Sequence, residues 1–134
     1  MEANLKIRSR ESSTGNFEVT IEGRLDSATY KQLEGFLEGV LTPATRSLRF
    51  DLAKLDYISS MGLRVFLKSA KVMRSNAGKL AMINLQPQIK KVIDIANALT
   101  SLSVFDSVEE ADRYLDLMQR QVLEAQNQAE LNKK

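Results

Sequence analysis

Two segments of the chain, residues 17–22 and 47–52, alternate apolar and polar positions, which is the pattern of a half-buried β-strand. A shorter apolar segment at 5–8 precedes them, and the polar, Gly-containing run at 10–16 predicts a hairpin loop. Residues 79–84 are largely apolar, as expected of a central strand that helices cover on at least one face. We therefore predict four strands, with an antiparallel hairpin at the start of the chain.

Apolar residues recur at helical spacing in the segments between and after these strands. Residues 30–41 predict a first helix, and residues 61–73 a second, which Asn76, Ala77 and Gly78 end. Pro87 is typical of the first position of a third helix, and a fourth begins near Ser107. A further short edge strand is expected at Val104 and Phe105, and a connecting segment at residues 55–60.

This order of elements predicts an α/β fold. Helices of ten or more residues between strands imply parallel crossovers, whereas the opening hairpin adds an antiparallel edge. We expect a mixed sheet of four to five strands, with an N-terminal antiparallel hairpin and about four helices packed on it.

We predict one domain over residues 1–117 and a helical extension or frayed tail over 118–134. Seven apolar residues of the last helix follow a heptad spacing, namely Val108, Ala111, Leu115, Met118, Val122, Ala125 and Ala129. Two interpretations remain open. The first four pack on the sheet and the rest frays, or the helix extends beyond the domain and contacts a partner or a second copy of the chain.

Composition excludes several classes of function. The 134 residues carry 19 Lys and Arg against 17 Asp and Glu, and a net charge of +2 argues against a dedicated nucleic-acid binder. The absence of Cys and His removes thiolate and imidazole metal sites and the Ser-His-Asp triad. No phosphate-binding Gly-rich loop is present. We therefore expect a non-enzymatic protein without a metal or cofactor.

Hydropathy predicts neither a membrane span nor a secretory signal. No run approaches ~18 consecutive apolar residues, and the N-terminal residues lack the apolar core of a signal peptide. We therefore expect a cytoplasmic protein that does not enter the membrane.

The junction between the third strand and the second helix carries two adjacent hydroxyls, Ser59 and Ser60. One interpretation is structural, because Ser is a favoured N-cap that satisfies an orphan backbone N–H. The other is functional. A helix N-terminus tolerates a phosphate on such a Ser, and the added charge of roughly −1.5 to −2 changes the surface that a partner reads.

Two motifs resemble those of the STAS domain family, and specifically of the bacterial anti-sigma factor antagonists. Residues 52–63, which include Leu-Asp-Tyr-Ile-Ser-Ser-Met-Gly-Leu, are similar to the family's Asp-Ser-Ser/Thr-Gly-Leu-Gly segment after an apolar strand. Residues 23–26, Gly-Arg-Leu-Asp, resemble the family's Gly-x-Leu-Asp element. Both motifs stand at the expected places in the order of elements, and the resemblance extends over about residues 4–117.

The resemblance implies partner switching. Such an antagonist binds a serine-kinase anti-sigma factor of the GHKL ATPase fold and thereby releases the sigma factor. The kinase phosphorylates the antagonist on the Ser at the start of the second helix, which ends the interaction, and a PP2C-type phosphatase restores it. Two alternatives stay open. One is a STAS module that switches a secretion or second-messenger pathway. The other is a STAS-like subunit of a lipid-transport ATPase complex, in which the hydroxyl is a structural contact with the ATPase and is never phosphorylated.

Alignment of the motif places the phosphoacceptor on Ser60, two residues before Gly62. Ser59 stands where the family has Asp, which leaves the acceptor without a neighbouring carboxylate and makes Ser59 a second, less favoured acceptor. Met61 replaces a hydroxyl residue and adds apolar surface beside the acceptor. Arg64 replaces a small residue and is expected to pair with an acidic partner or a phosphate.

The resemblance also implies a partner-binding surface, to which we assign Asp26, Ser59, Ser60, Met61, Gly62 and Arg64. Asp26 matches the family's Asp and is expected near the acceptor, although a helix-capping role explains it equally well. The switch requires a kinase to reach the acceptor. We therefore expect the Ser60 side chain to project outward at the tip of the helix.

Overall fold

The computed structural model describes residues 5–99 and 107–132, and the strand expected at 104–105 lies outside these residues. The described elements follow one another along the chain as β1 (Lys6–Ser13), β2 (Asn16–Leu25), α1 (Tyr30–Glu38), β3 (Ser47–Ile58), α2 (Ser60–Ser75), β4 (Lys79–Ile83), α3 (Pro87–Leu99) and α4 (Val108–Asn132). None of the described helices combines the length and the hydropathy that a membrane crossing needs.

The four strands form one mixed sheet in the order β1-β2-β3-β4. β1 pairs antiparallel with β2, whereas β3 runs parallel to both of its neighbours. The hairpin and the parallel crossovers predicted from the sequence are therefore confirmed. The hairpin turn is tighter than expected. Gly15 adopts a positive φ of 81° in this turn. Strand β1 continues to Ser13, and its last residues are polar and exposed, so the hydrophobic pattern does not identify them as a strand.

β3 differs most from the sequence prediction, because it continues to Ile58 through the segment expected to be a connection. Its buried residues Leu52, Leu55 and Ile58 lie three positions apart rather than two. The register between β2 and β3 shifts twice along this stretch, and each irregularity inserts a residue that breaks the alternation.

The core lies between the helices and the inward side chains of β2 and β3. Phe50 of β3 and Phe66 of α2 meet edge to face, with their ring centroids 4.9 Å apart. Leu25 and Ile58 are paired where β2 and β3 end. Because the two strands are parallel, their carboxyl ends lie side by side, and the segments that lead to α1 and α2 leave the sheet there. The candidate site lies at these carboxyl ends.

Candidate functional site

The first turn of α2 is capped by Ser59. This residue has extended backbone (φ −96°, ψ 176°), and its hydroxyl accepts the N–H of Gly62 at 3.3 Å. Its own N–H donates to the carbonyl of Leu25 at 2.8 Å, which ties the helix start to the end of β2. The capping interpretation is thus confirmed for Ser59, which is only 3% exposed.

Gly62 allows α2 to approach β2 closely. A Cβ built on this residue lies 2.6 Å from Cγ of Leu25 and 2.9 Å from the Leu25 carbonyl oxygen, both shorter than real Cβ contacts. Gly62 is buried, so it offers no exposed surface in this conformation, and its assignment to partner contact stays a prediction. Its role in this conformation is steric.

The Ser60 side chain does not project into solvent, and that expectation is wrong. The residue begins α2 as predicted, but its exposed fraction is 0%. Its Oγ donates to Oδ1 of Asp112 at 2.7 Å, and its backbone N–H donates to the same oxygen at 2.9 Å. The reason is tertiary, because helix α4 packs against α2 and carries Asp112 onto its first turn. Asp112 also supplies the carboxylate that the sequence motif lacks.

A second side chain of α4 binds the end of β3. Gln119 is 1% exposed, its Oε1 accepts the N–H of Ile58 at 3.0 Å, and its Nε2 donates to the Ile58 carbonyl at 2.8 Å. The pairing of β3 with β4 extends only as far as Asp51 and Ile83. The carboxamide of Gln119 therefore satisfies a donor and an acceptor on β3 beyond the last residues that β4 pairs.

An aromatic and charged cluster flanks this contact. The Arg24 guanidinium lies 4.0 Å from the centroid of the Tyr57 ring, and its Nε is 3.6 Å from a carboxylate oxygen of Asp26. Burial raises the pKa of Tyr57 to about 12, and the charge of Asp116 on α4, to which Tyr57 is hydrogen-bonded, adds to this effect. The side of α4 that faces Ser60 thus also faces Tyr57.

Asp26 stabilises the turn before α1. Its carboxylate accepts the N–H of Ala28 at 2.9 Å and the hydroxyl of Thr29 at 3.2 Å, whereas Thr29 is the residue that precedes the helix. Asp26 therefore does not cap α1 as expected. It stabilises the turn that precedes the helix instead. Asp26 directly follows Leu25, and Ser59 directly follows Ile58, with which Leu25 is paired. The structure therefore brings Asp26 to the carboxyl ends of β2 and β3, where α2 begins.

The remaining predicted contact residues lie on the first turns of α2. Met61 is half-buried, and Arg64 is exposed four residues after Ser60, which places it on the same side of the helix. The assignment of both to partner contact stays a prediction. In the part of the chain that the structure describes, the first turn of α2 is a helix start at which the N–H and the hydroxyl of Ser60 are bound by a carboxylate of the same molecule.

Sequence reasoning missed Asp112 and Gln119. They are seven residues apart, so they lie two turns apart on one side of α4, with the core residue Leu115 between them. The only indication in the sequence was that both polar residues lie next to the apolar positions of the heptad spacing in the last helix. The pattern of one helix cannot say which partner such residues bind. Beyond Gln119, α4 continues to Asn132 with mostly exposed side chains, and its contact with a partner or a second copy of the chain stays a prediction.

Comparison with known proteins identifies related chains. The model of the STAS domain matches residues 8–111. A relative in Bordetella bronchiseptica, the putative anti-sigma factor antagonist BtrV, is 38% identical over 91 residues, which cover 68% of this chain and 78% of the relative. The anti-sigma-B factor antagonist of Listeria monocytogenes is 26% identical over 92 residues, covering 69% and 81%.

The fold is also similar to solved structures. The Bacillus cell fate determinant SpoIIAA in its phosphorylated form superposes with a TM-score of 0.60 at 16% sequence identity. The matched region covers 71% of this chain and 86% of that one. At this identity the likeness concerns the fold, a four-stranded mixed sheet with an antiparallel hairpin and packed helices.

Proposed function

The chain belongs to the STAS domain family, and from this premise we propose that it is an anti-sigma factor antagonist that works by partner switching. The 38% identity to a putative anti-sigma factor antagonist is the observation that carries the proposal. The chain acts through binding rather than catalysis. Its partners are a serine-kinase anti-sigma factor with a GHKL-type ATPase fold and a PP2C-type phosphatase.

We propose Ser60 as the phosphoacceptor. Its position as the first residue of α2, immediately after the N-cap, supports this assignment. The kinase transfers the γ-phosphoryl group of ATP to Oγ, ADP leaves, and the hydroxyl proton is lost to solvent. The phosphatase adds water to the phosphoserine and releases inorganic phosphate. Because Ser60 is 0% exposed in the conformation described, transfer requires that α4 first move away.

The physical basis of switching is electrostatic. A phosphate brings roughly −1.5 to −2 charges to the start of α2. The unmodified surface, which includes the half-buried Met61 and the exposed Arg64, docks on the nucleotide-binding side of the kinase. Phosphate then adds a desolvation cost and repulsion from the acidic groups and nucleotide of that site. A loss of about 1.4 kcal/mol in binding already weakens the complex tenfold.

A pull-down followed by intact-mass spectrometry tests this function. The unmodified chain is immobilised and incubated with cytosol of the source organism, and recovered kinase is then supplied with ATP. We expect wild type and Ser59→Ala to gain the mass of one phosphoryl group, and Ser60→Ala to gain none. Full incorporation into Ser60→Ala contradicts the assignment and points to the capping residue Ser59.

One observation favours a second candidate, a STAS-like subunit of a lipid-transport ATPase complex. In this alternative the hydroxyl is a contact with the ATPase and is never phosphorylated, and the burial of Ser60 against Asp112 agrees with the absence of phosphorylation. The same mass measurement separates the two functions. A subunit of this kind is recovered with an ATPase but gains no phosphoryl group on incubation with ATP.

A further inference from the structure

Helix α4 holds the start of α2 by specific polar contacts and not by apolar packing alone. Asp112 accepts both the N–H and the hydroxyl of Ser60, while Gln119 pairs with the N–H and the carbonyl of Ile58. Leu115, which is 1% exposed, fills the space between these two side chains on the same side of the helix. Four polar groups around the candidate acceptor are thus bound by one helix.

The contact to Asp112 is incompatible with a phosphate on Ser60. The carboxylate oxygen lies 2.7 Å from Oγ, where it accepts the hydroxyl proton that phosphorylation removes. Once it is phosphorylated, Oγ has no proton of its own to donate to Asp112, and the charged phosphate oxygens lie within a few ångströms of a second anion. Asp116, one turn further along α4, adds another negative charge on the same side of the helix.

We propose that α4 is an intramolecular cover of the Ser60 site, which excludes a kinase while it is docked and which a phosphate on Ser60 expels. This inference rests on the proposed function, because it describes how access to the same acceptor is controlled. Release of α4 exposes Ser60 together with the end of β3 that Gln119 covers. Modification and docking of α4 therefore exclude each other.

The Ile58 amide is a direct reporter of docking, since it donates to the side chain of Gln119 and to no group of Ser60. The experiment measures its hydrogen exchange by NMR in full-length chains, with the amide of Val19 in β2 as the reference for global unfolding. One chain carries phosphoserine at position 60, introduced during translation. We expect exchange at Ile58 to be at least tenfold faster than in the unmodified chain, with Val19 unchanged.

Two substitutions on α4 form a matched pair that needs no phosphate. Asp112→Ala removes the carboxylate that binds Ser60, whereas Glu124→Ala removes a carboxylate from the exposed part of the same helix. We expect faster exchange at Ile58 in Asp112→Ala and wild-type exchange in Glu124→Ala. Equal protection of Ile58 in the phosphoserine chain and in the unmodified chain overturns the cover.

The outcome is independent of the kinase, because phosphoserine is present from synthesis. If Ile58 stays protected while wild type is phosphorylated on Ser60, the cover is wrong and the acceptor assignment stands. If Ile58 is released by phosphoserine while no kinase modifies Ser60 even in Asp112→Ala, in which the contact between α4 and Ser60 is removed, the release of α4 by phosphate stands and the proposed function is wrong.

Discussion

Replacement of Gly62 by Ala tests whether the start of α2 is held against β2 as tightly as the structure indicates. The matched control is Gly35→Ala in the middle of α1, where a Cβ meets no atom within 4 Å. Both substitutions add one methyl group to a helical glycine. They differ in what the methyl group meets, so the difference in unfolding free energy isolates the contact with Leu25.

The magnitude follows from the distances. The added Cβ of Gly62→Ala lies 2.6 Å from Cγ and 2.9 Å from the carbonyl oxygen of Leu25. The Leu25 side chain can rotate away, but its carbonyl accepts the Ser59 N–H and cannot move without breaking that bond. Overpacking of this kind costs about 1–3 kcal/mol, against a helix-propensity gain of up to about 1 kcal/mol. We expect a net destabilisation of about 1–2 kcal/mol.

The control should change in the opposite direction. Gly35→Ala has space for its methyl group and is expected to raise the unfolding free energy by about 0.5–1 kcal/mol. Urea denaturation followed by far-UV circular dichroism measures both variants, and equal m-values are required for the comparison. If Gly62→Ala is as stable as Gly35→Ala, α2 does not approach β2 as described, and the steric account of Gly62 is wrong.

Two further predictions concern α4 and its neighbours. Leu115→Ala removes a side chain that is 1% exposed and should cost about 2–5 kcal/mol, whereas Leu117→Ala, 44% exposed, should stay within about 0.5 kcal/mol of wild type. Urea melts compare them, and equal losses contradict the packing of α4. Because the folded state raises the pKa of Tyr57 from 10.0 to about 12, its contribution to stability is complete below pH 10 and is lost as the pH rises towards 12. Tyr57→Phe should weaken this decline in melts across that range, and an identical pH profile contradicts the assignment.

Elements with a regular period were predictable from the chain alone. The alternation in residues 17–22 and the helical spacing in residues 61–73 are local patterns that can be recognised without knowledge of the rest of the chain. The structure has β2 and α2 at these places. Ser59 as a cap was also within reach, because capping depends on residues at most three positions apart. The end of β3 was not predictable in this way, since its bulges break the period that marks a strand.

The sequence by itself determined the order of strands and helices, the family motif and the place of Ser60 at the start of α2. Only the tertiary structure decided whether that hydroxyl is accessible. Asp112 is 52 residues away along the chain, and Gln119 is 61 residues from Ile58. Helical period shows which side of α4 is apolar but not what that side covers, because the surface it packs against is assembled from other parts of the chain.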